Sequence, residues 1–143
     1  MKSNESGFTL LELLVVVIIM GILAAISIPT YLNQSNRARL SEAQTYLSSW
    51  NRAQQAYFSA NGEFADTFQN LEMGLPTTTE SYNYALDAST PVSSVTFTAT
   101  PTNPTIRGVS SRVYVQGNST PSLICVGNPG QVIALGSSTE CPN

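Results

Sequence analysis

Hydrophobic and polar positions alternate on three different periods along this chain, and each period predicts a different kind of element. Residues 8–28, FTLLELLVVVIIMGILAAISI, are apolar throughout except for Glu12 and two hydroxyl residues. An unbroken run of this length predicts a membrane-spanning helix, because 21 helical residues reach about 31 Å and a bilayer hydrocarbon core is about 30 Å thick. From Leu40 the pattern changes. Leu40, Ala43, Leu47, Trp50, Ala53 and Tyr57 recur at steps of three or four, with Tyr46 and Ala56 beside them, which predicts an amphipathic helix over 29–60 that ends at Asn61-Gly62. Proline 29 lies between the two stretches and predicts a helix break where the chain leaves the membrane. Trp50 falls on the apolar stripe and reads as core.

Residues 61–81 hold no single period and read as a loop. Within it Phe64, Phe68, Leu71 and Leu75 suggest a short helix or turn packed by aromatic rings. After Pro76 the period falls to two. Residues 82–86, 95–99, 113–115, 123–126 and 132–135 read as four or five short strands separated by turns at 87–94, 101–104, 117–118 and 128–130. The fold class is therefore α+β: a long N-terminal helix, its second half amphipathic, packed on one face of a small antiparallel sheet over 82–143.

Composition narrows the chemistry. The 143 residues contain no histidine, so imidazole catalysis and histidine-ligated metals are excluded. Charged residues are 10% of the chain and the net charge is -3, which gives no bulk attraction to nucleic acid. Arg37, Arg39 and Arg52 lie on or near the helix that the sheet should cover, leaving Arg107 and Arg112 for an exposed basic patch. Glu63, Asp66 and Glu72 lack calcium-loop spacing and read as solvated acids. No nucleophile elbow, phosphate-binding glycine loop or zinc spacing occurs, so no catalytic residues, metal or cofactor is expected. The Asn-x-Ser/Thr triplets at Asn33 and Asn118 read as chance matches. Cys125 and Cys141 allow one disulfide or two free buried thiols; a bond would close a loop contributing about 3 kcal/mol and would form outside the cytoplasm.

Glu12 is the residue that anchoring alone does not require. A carboxylate in the middle of a bilayer costs about 2.5–3.5 kcal/mol, somewhat less near an end, and intramembrane acids are functional by default. Its bland reading is an acid favoured by the dipole at a helix N-terminus. A cleaved secretory signal with its site near Ala25-Ile26-Ser27 is a competing reading, disfavoured by the length of the apolar run and by Glu12 itself. Lys2 and the chain amine on one side face Arg37 and Arg39 on the other, so basic residues do not orient the span.

The unbroken stretch from Gly7-Phe8-Thr9-Leu10-Leu11-Glu12 to Ile28-Pro29 closely resembles the class III signal of type IV pilins and pseudopilins. Tyr31-Leu32-Asn33-Gln34-Ser35-Asn36-Arg37-Ala38-Arg39 with Glu42-Ala43 resembles the major-pilin-like proteins of cyanobacteria. The resemblance implies that residues 1–7 are a leader removed by a membrane prepilin peptidase after Gly7, and that the new N-terminal residue, Phe8, is N-methylated. It implies that Glu12 pairs with the N-terminal amine of a neighbouring subunit, as a register pin for assembly, while 61–81 corresponds to the αβ-loop. It also implies a C-terminal disulfide between Cys125 and Cys141. The expected function is a structural subunit of a surface filament serving motility, adhesion or DNA uptake. It would be held in the inner membrane with lipid around its helix, then polymerised with identical copies by the pilus assembly machinery. Gly21, Ala24 and Ala25 allow close helix approach in such a polymer. A minor pilin or type II secretion pseudopilin is the alternative, and a membrane-anchored binding module or enzyme a third.

Overall fold

The structure, a computed structural model, describes residues 8–90, 92–136 and 139–142. Helix α1 runs from Leu10 to Asn61, followed by a 3-10 turn at Gln69–Leu71 and four strands: β1 (Tyr82–Thr90), β2 (Ser94–Pro101), β3 (Arg107–Tyr114) and β4 (Ser122–Pro129). By its contacts the chain divides into two units, Met1–Ser35 and Asn36–Asn143.

In the first unit α1 passes through Pro29 without a break. The helix break expected there is corrected. A proline removes one hydrogen-bond donor, here the one that would serve the Ala25 carbonyl, and crowds the preceding turn, yet a single lost bond bends a helix as readily as it ends one. The helical hydroxyl bond beside it, from Thr30 Oγ1 to the Ile26 carbonyl at 3.4 Å, lies one residue further on. Every described residue of this stretch up to Gln34 is exposed.

In the second unit the helix buries one stripe, Ala43, Leu47, Trp50, Asn51 and Gln54. It ends where expected: the Gly62 amide donates to the Phe58 carbonyl at 2.8 Å, and Gly62 takes the left-handed conformation (φ 77°) that glycine adopts without a Cβ clash. The sheet order is β1-β2-β3-β4, each pair antiparallel. Register places Val95 opposite Val113, Phe97 opposite Ser111 and Ala99 opposite Val109, and all six are buried on the face that carries the core. Trp50 fills the centre, stacked on Phe97 at 5.7 Å between ring centroids and edge-on to Tyr84 at 5.0 Å, with Phe68 from the loop at 4.8 Å.

The loop is tied down from the helix side. Gln54, fully buried, donates to the Ala65 carbonyl at 2.9 Å and accepts from the Ala65 amide at 2.8 Å, so one side chain satisfies both backbone groups of a buried loop residue. Phe64 and Leu71 are buried beside it. The expected packing of a short turn by aromatic rings is what forms.

Three strand expectations need correction. Strand β1 continues to Thr90 instead of ending at residue 86, carried past Asp87 by a register shift. Strand β3 begins at Arg107, six residues before the apolar triplet at 113–115. Its Gly108, Ser110 and Ser111 have no strand-type signal, yet all are buried because both faces of the sheet are covered there. Residues 132–135 are not a strand. They cross the sheet face opposite the helix, where Ser110 Oγ donates to the Ile133 carbonyl at 2.6 Å and Leu135 is 2% exposed. A Cβ on Gly127 would stand 2.5 Å from the Gln131 carbonyl, and one on Gly108 would overlap it, so both glycines are fixed by this close approach.

Candidate assembly site

The first turn of α1 holds the only acid of the apolar stretch, Glu12. Thr9 precedes the helix and both its backbone amide and its hydroxyl donate to Glu12 Oε2, each at 2.9 Å. The Glu12 amide returns a bond to Thr9 Oγ1 at 3.2 Å. This is a reciprocal capping box, in which a Thr and a Glu three residues apart satisfy amides left open at a helix N-terminus. It fixes the carboxylate at the helix end and commits one oxygen, Oε2, to its own chain. Thr9 was not singled out from the sequence, although the spacing Thr-x-x-Glu ahead of an apolar run is the signal that marks it.

Phe8 stands beside this turn and is 75% exposed. Gly7, the residue before the expected cleavage point, lies outside the described residues. Beyond Glu12 the helix presents Leu, Val and Ile side chains on every side, and none of the most apolar 18-residue window is buried. Burying a side chain of this kind is worth about 1.5–3 kcal/mol, so a surface of this extent requires lipid or other apolar helices around it. The helix meets the length and composition needed to cross a bilayer.

The remaining candidates lie apart from that turn. Pro29 is inside α1. Cys125 and Cys141 are bonded to each other, with Cα atoms 5.5 Å apart, and the bridge ties the chain after the sheet-crossing segment to β4. Glu63 and Glu72 are exposed, and Asp66 accepts a hydrogen bond from Asn70 Nδ2 at 2.9 Å. Arg107 donates through Nε to the Gly127 carbonyl at 2.7 Å, and Arg112, half-buried, donates to Ser94 Oγ at 3.0 Å. Both are thus engaged in holding strands together, and of the basic pair that the sequence left for an exposed patch only Arg107 is exposed.

The chain thus joins an exposed apolar helix with a carboxylate fixed in its first turn to a helix-on-sheet domain with a C-terminal disulfide. Residues 40–138 match the family of type IV pilin-like G and H proteins, and residues 2–28 match the prokaryotic N-terminal methylation motif. The chain belongs to the type IV pilin-like family. It is 43% identical over 87 residues to the type IV major pilin protein PilA of Myxococcus xanthus, covering 60% of this chain and 39% of that one. It is 31% identical over 111 residues to a fimbrial protein of Neisseria meningitidis serogroup A, covering 76% of this chain and 64% of that one. It is also 38% identical over 83 residues to the type II secretion system core protein G of Vibrio cholerae, covering 57% of each. The matched region is thus less than two thirds of each relative's length.

Proposed function

We propose that this chain is a structural, non-enzymatic subunit of a type IV pilus, polymerised through its N-terminal helix. The observation that carries the reading is the exposed apolar helix with a single carboxylate fixed in its first turn, in a chain of the pilin-like family. Residues 1–7 are the leader, a membrane prepilin peptidase cuts between Gly7 and Phe8, and Phe8 is N-methylated. Before assembly the helix rests in the inner membrane in contact with lipid. The pilus assembly machinery then transfers it into a surface filament of identical copies.

Glu12 supplies the register. Its Oε2 is held by Thr9, which leaves Oε1 for the protonated amine of a neighbouring Phe8. A lone carboxylate in an apolar medium is costly, whereas one beside an ammonium is neutral as a pair and hydrogen-bonded. The cost therefore falls on the unassembled subunit and is relieved in the polymer. Glu12→Ala is expected to be processed at Gly7 normally but to yield no sheared surface filament; wild-type filament yield from that variant would sink the register role. N-terminal analysis of the mature protein tests the whole reading, because retention of Met1-Lys2 is incompatible with it.

A second reading has a specific support: the likeness to a type II secretion core protein G. On that reading the same processing and helix packing build a short secretion fibre. Deleting the gene and scoring surface filaments against protein secretion separates the two.

A further inference from the structure

The face of α1 that points away from the sheet is mostly exposed among the described residues of the second unit. Arg37, Ser41, Thr45, Ser48, Arg52 and Ser59 follow one another at steps of four, four, three, four and seven, which keeps them on one side of a helix. They lie opposite the buried stripe of Ala43, Leu47, Trp50 and Gln54. Three of the four hydroxyls on this face donate back to their own helix. Thr45 Oγ1 donates to the Ser41 carbonyl at 2.8 Å, Ser48 Oγ to Gln44 at 2.7 Å and Ser59 Oγ to Gln55 at 2.9 Å. What remains able to reach outward is Arg37 and Arg52, both exposed and both without an ion pair among the described residues. They stand about 22 Å apart along the axis.

The opposite charge sits elsewhere on the same unit. The loop from Asn61 to Pro76 contains Glu63, Asp66 and Glu72 and no basic residue, and all three acids are exposed. The loop presents them from a fixed backbone, because Gln54 holds Ala65 by two hydrogen bonds and Phe64 and Leu71 are buried. We propose that the outward face of α1 around Arg37 and Arg52 docks the acidic loop of a second copy of this chain.

Three arguments choose that occupant. First, each copy carries a formal charge of -3, so stacking copies is opposed unless unlike charges meet at the contact. Second, the two patches are different surfaces of one chain, and a contact between different surfaces is heterologous, the type that repeats from copy to copy and builds an open helical filament when its rotation does not close. Third, the small side chains between the two arginines let a neighbouring backbone come close. This contact rests on the filament reading above and names the surface by which its outer domains meet.

The test is charge reversal in the full-length chain, expressed in its own cells. Arg37→Glu with Arg52→Glu is expected to lower the yield of sheared filaments at least about tenfold, as is Glu63→Arg with Asp66→Arg. Combining all four reversals is expected to restore filaments. Leader removal and the Cys125–Cys141 bond are read in each variant to confirm that the subunit is folded and exported. Filaments at the wild-type level from either reversed pair, or no recovery in the combination, overturns the contact. Loss of membrane retention with filaments intact also overturns it, since the arginines would then be meeting lipid. If the unaltered chain yields no filaments, the function proposed above fails and the docking contact fails with it.

Discussion

Thr9 shows how much a single hydroxyl can organise. It closes the helix end and takes one oxygen of Glu12 within the same chain, which sets the direction of the carboxylate. Thr9→Val keeps the shape and removes the hydroxyl. N-cap loss costs about 1 kcal/mol, so the amides of Leu10 to Leu13 should exchange faster in detergent micelles while those beyond Gly21 stay as they were. Unchanged exchange at the first turn would show that the capping box contributes nothing. Gly108 makes a second case at this scale. A methyl there would occupy the position of the Gln131 carbonyl, so Gly108→Ala should destabilise the fold by about 1–3 kcal/mol in urea denaturation. Gly21→Ala is the control, since nothing lies within 4 Å of a Cβ at that position and alanine favours helix. The demand on Gly108 comes from a segment more than twenty residues further along the chain, and no local pattern announces it.

At the scale of elements, the loop after α1 depends on Gln54 more than on its own sequence. Gln54→Leu leaves the Ala65 amide and carbonyl buried without partners, at about 1–3 kcal/mol for such a group. The expected result is rapid hydrogen exchange and protease cutting within 62–76, with the sheet still protected; a loop as protected as wild type would refute the anchoring role. This element also marks where sequence reading succeeds and stops. The helix, its apolar stripe and its end at Asn61-Gly62 were legible because each is written in a local period and a local cap. Strand β3 was mostly hidden, because Gly108, Ser110 and Ser111 owe their burial to the helix on one side and residues 131–135 on the other. The segment 132–135 reads as a strand by composition but makes its contacts through side chains and carbonyls across the sheet face, not along a sheet edge. In the candidate site Glu12 was legible as the one charge in an apolar run, and Phe8 through the resemblance of the stretch that it opens. Thr9 carries no charge to set it apart within that run, and its role shows only in the Thr-x-x-Glu spacing.

For the whole molecule, the same burial that makes the second unit cohesive also sets its response to alkali. Tyr82 is buried against the core, and its hydroxyl donates to the Arg107 carbonyl at 2.9 Å. Burial raises its pKa to about 12, Glu42 adds to the rise, and Arg39 opposes it. Tyr84 is shifted in the same direction, again mainly by burial. The sign follows from which state holds the proton more tightly. An unfolded tyrosine ionises near 10, so above that pH the unfolded chain releases a proton that the folded one retains. The stability held by the neutral phenol is complete below pH 10 and is lost progressively as the pH rises from 10 toward 12. The urea midpoint should therefore be flat from pH 7 to 9.5 as far as these groups are concerned, and should fall above about pH 10. Tyrosinate absorbance of the folded protein should include a component from Tyr82 and Tyr84 that appears at higher pH than in the unfolded chain. Tyr82→Phe removes one of the ionising groups, so it should lower stability at pH 8 through the lost hydrogen bond yet make the decline above pH 10 shallower. A decline equally steep in that variant would mean that the alkaline limit is set elsewhere in the chain. In that event the aromatic centre around Trp50, Tyr84 and Phe97 would hold the second unit together by packing alone.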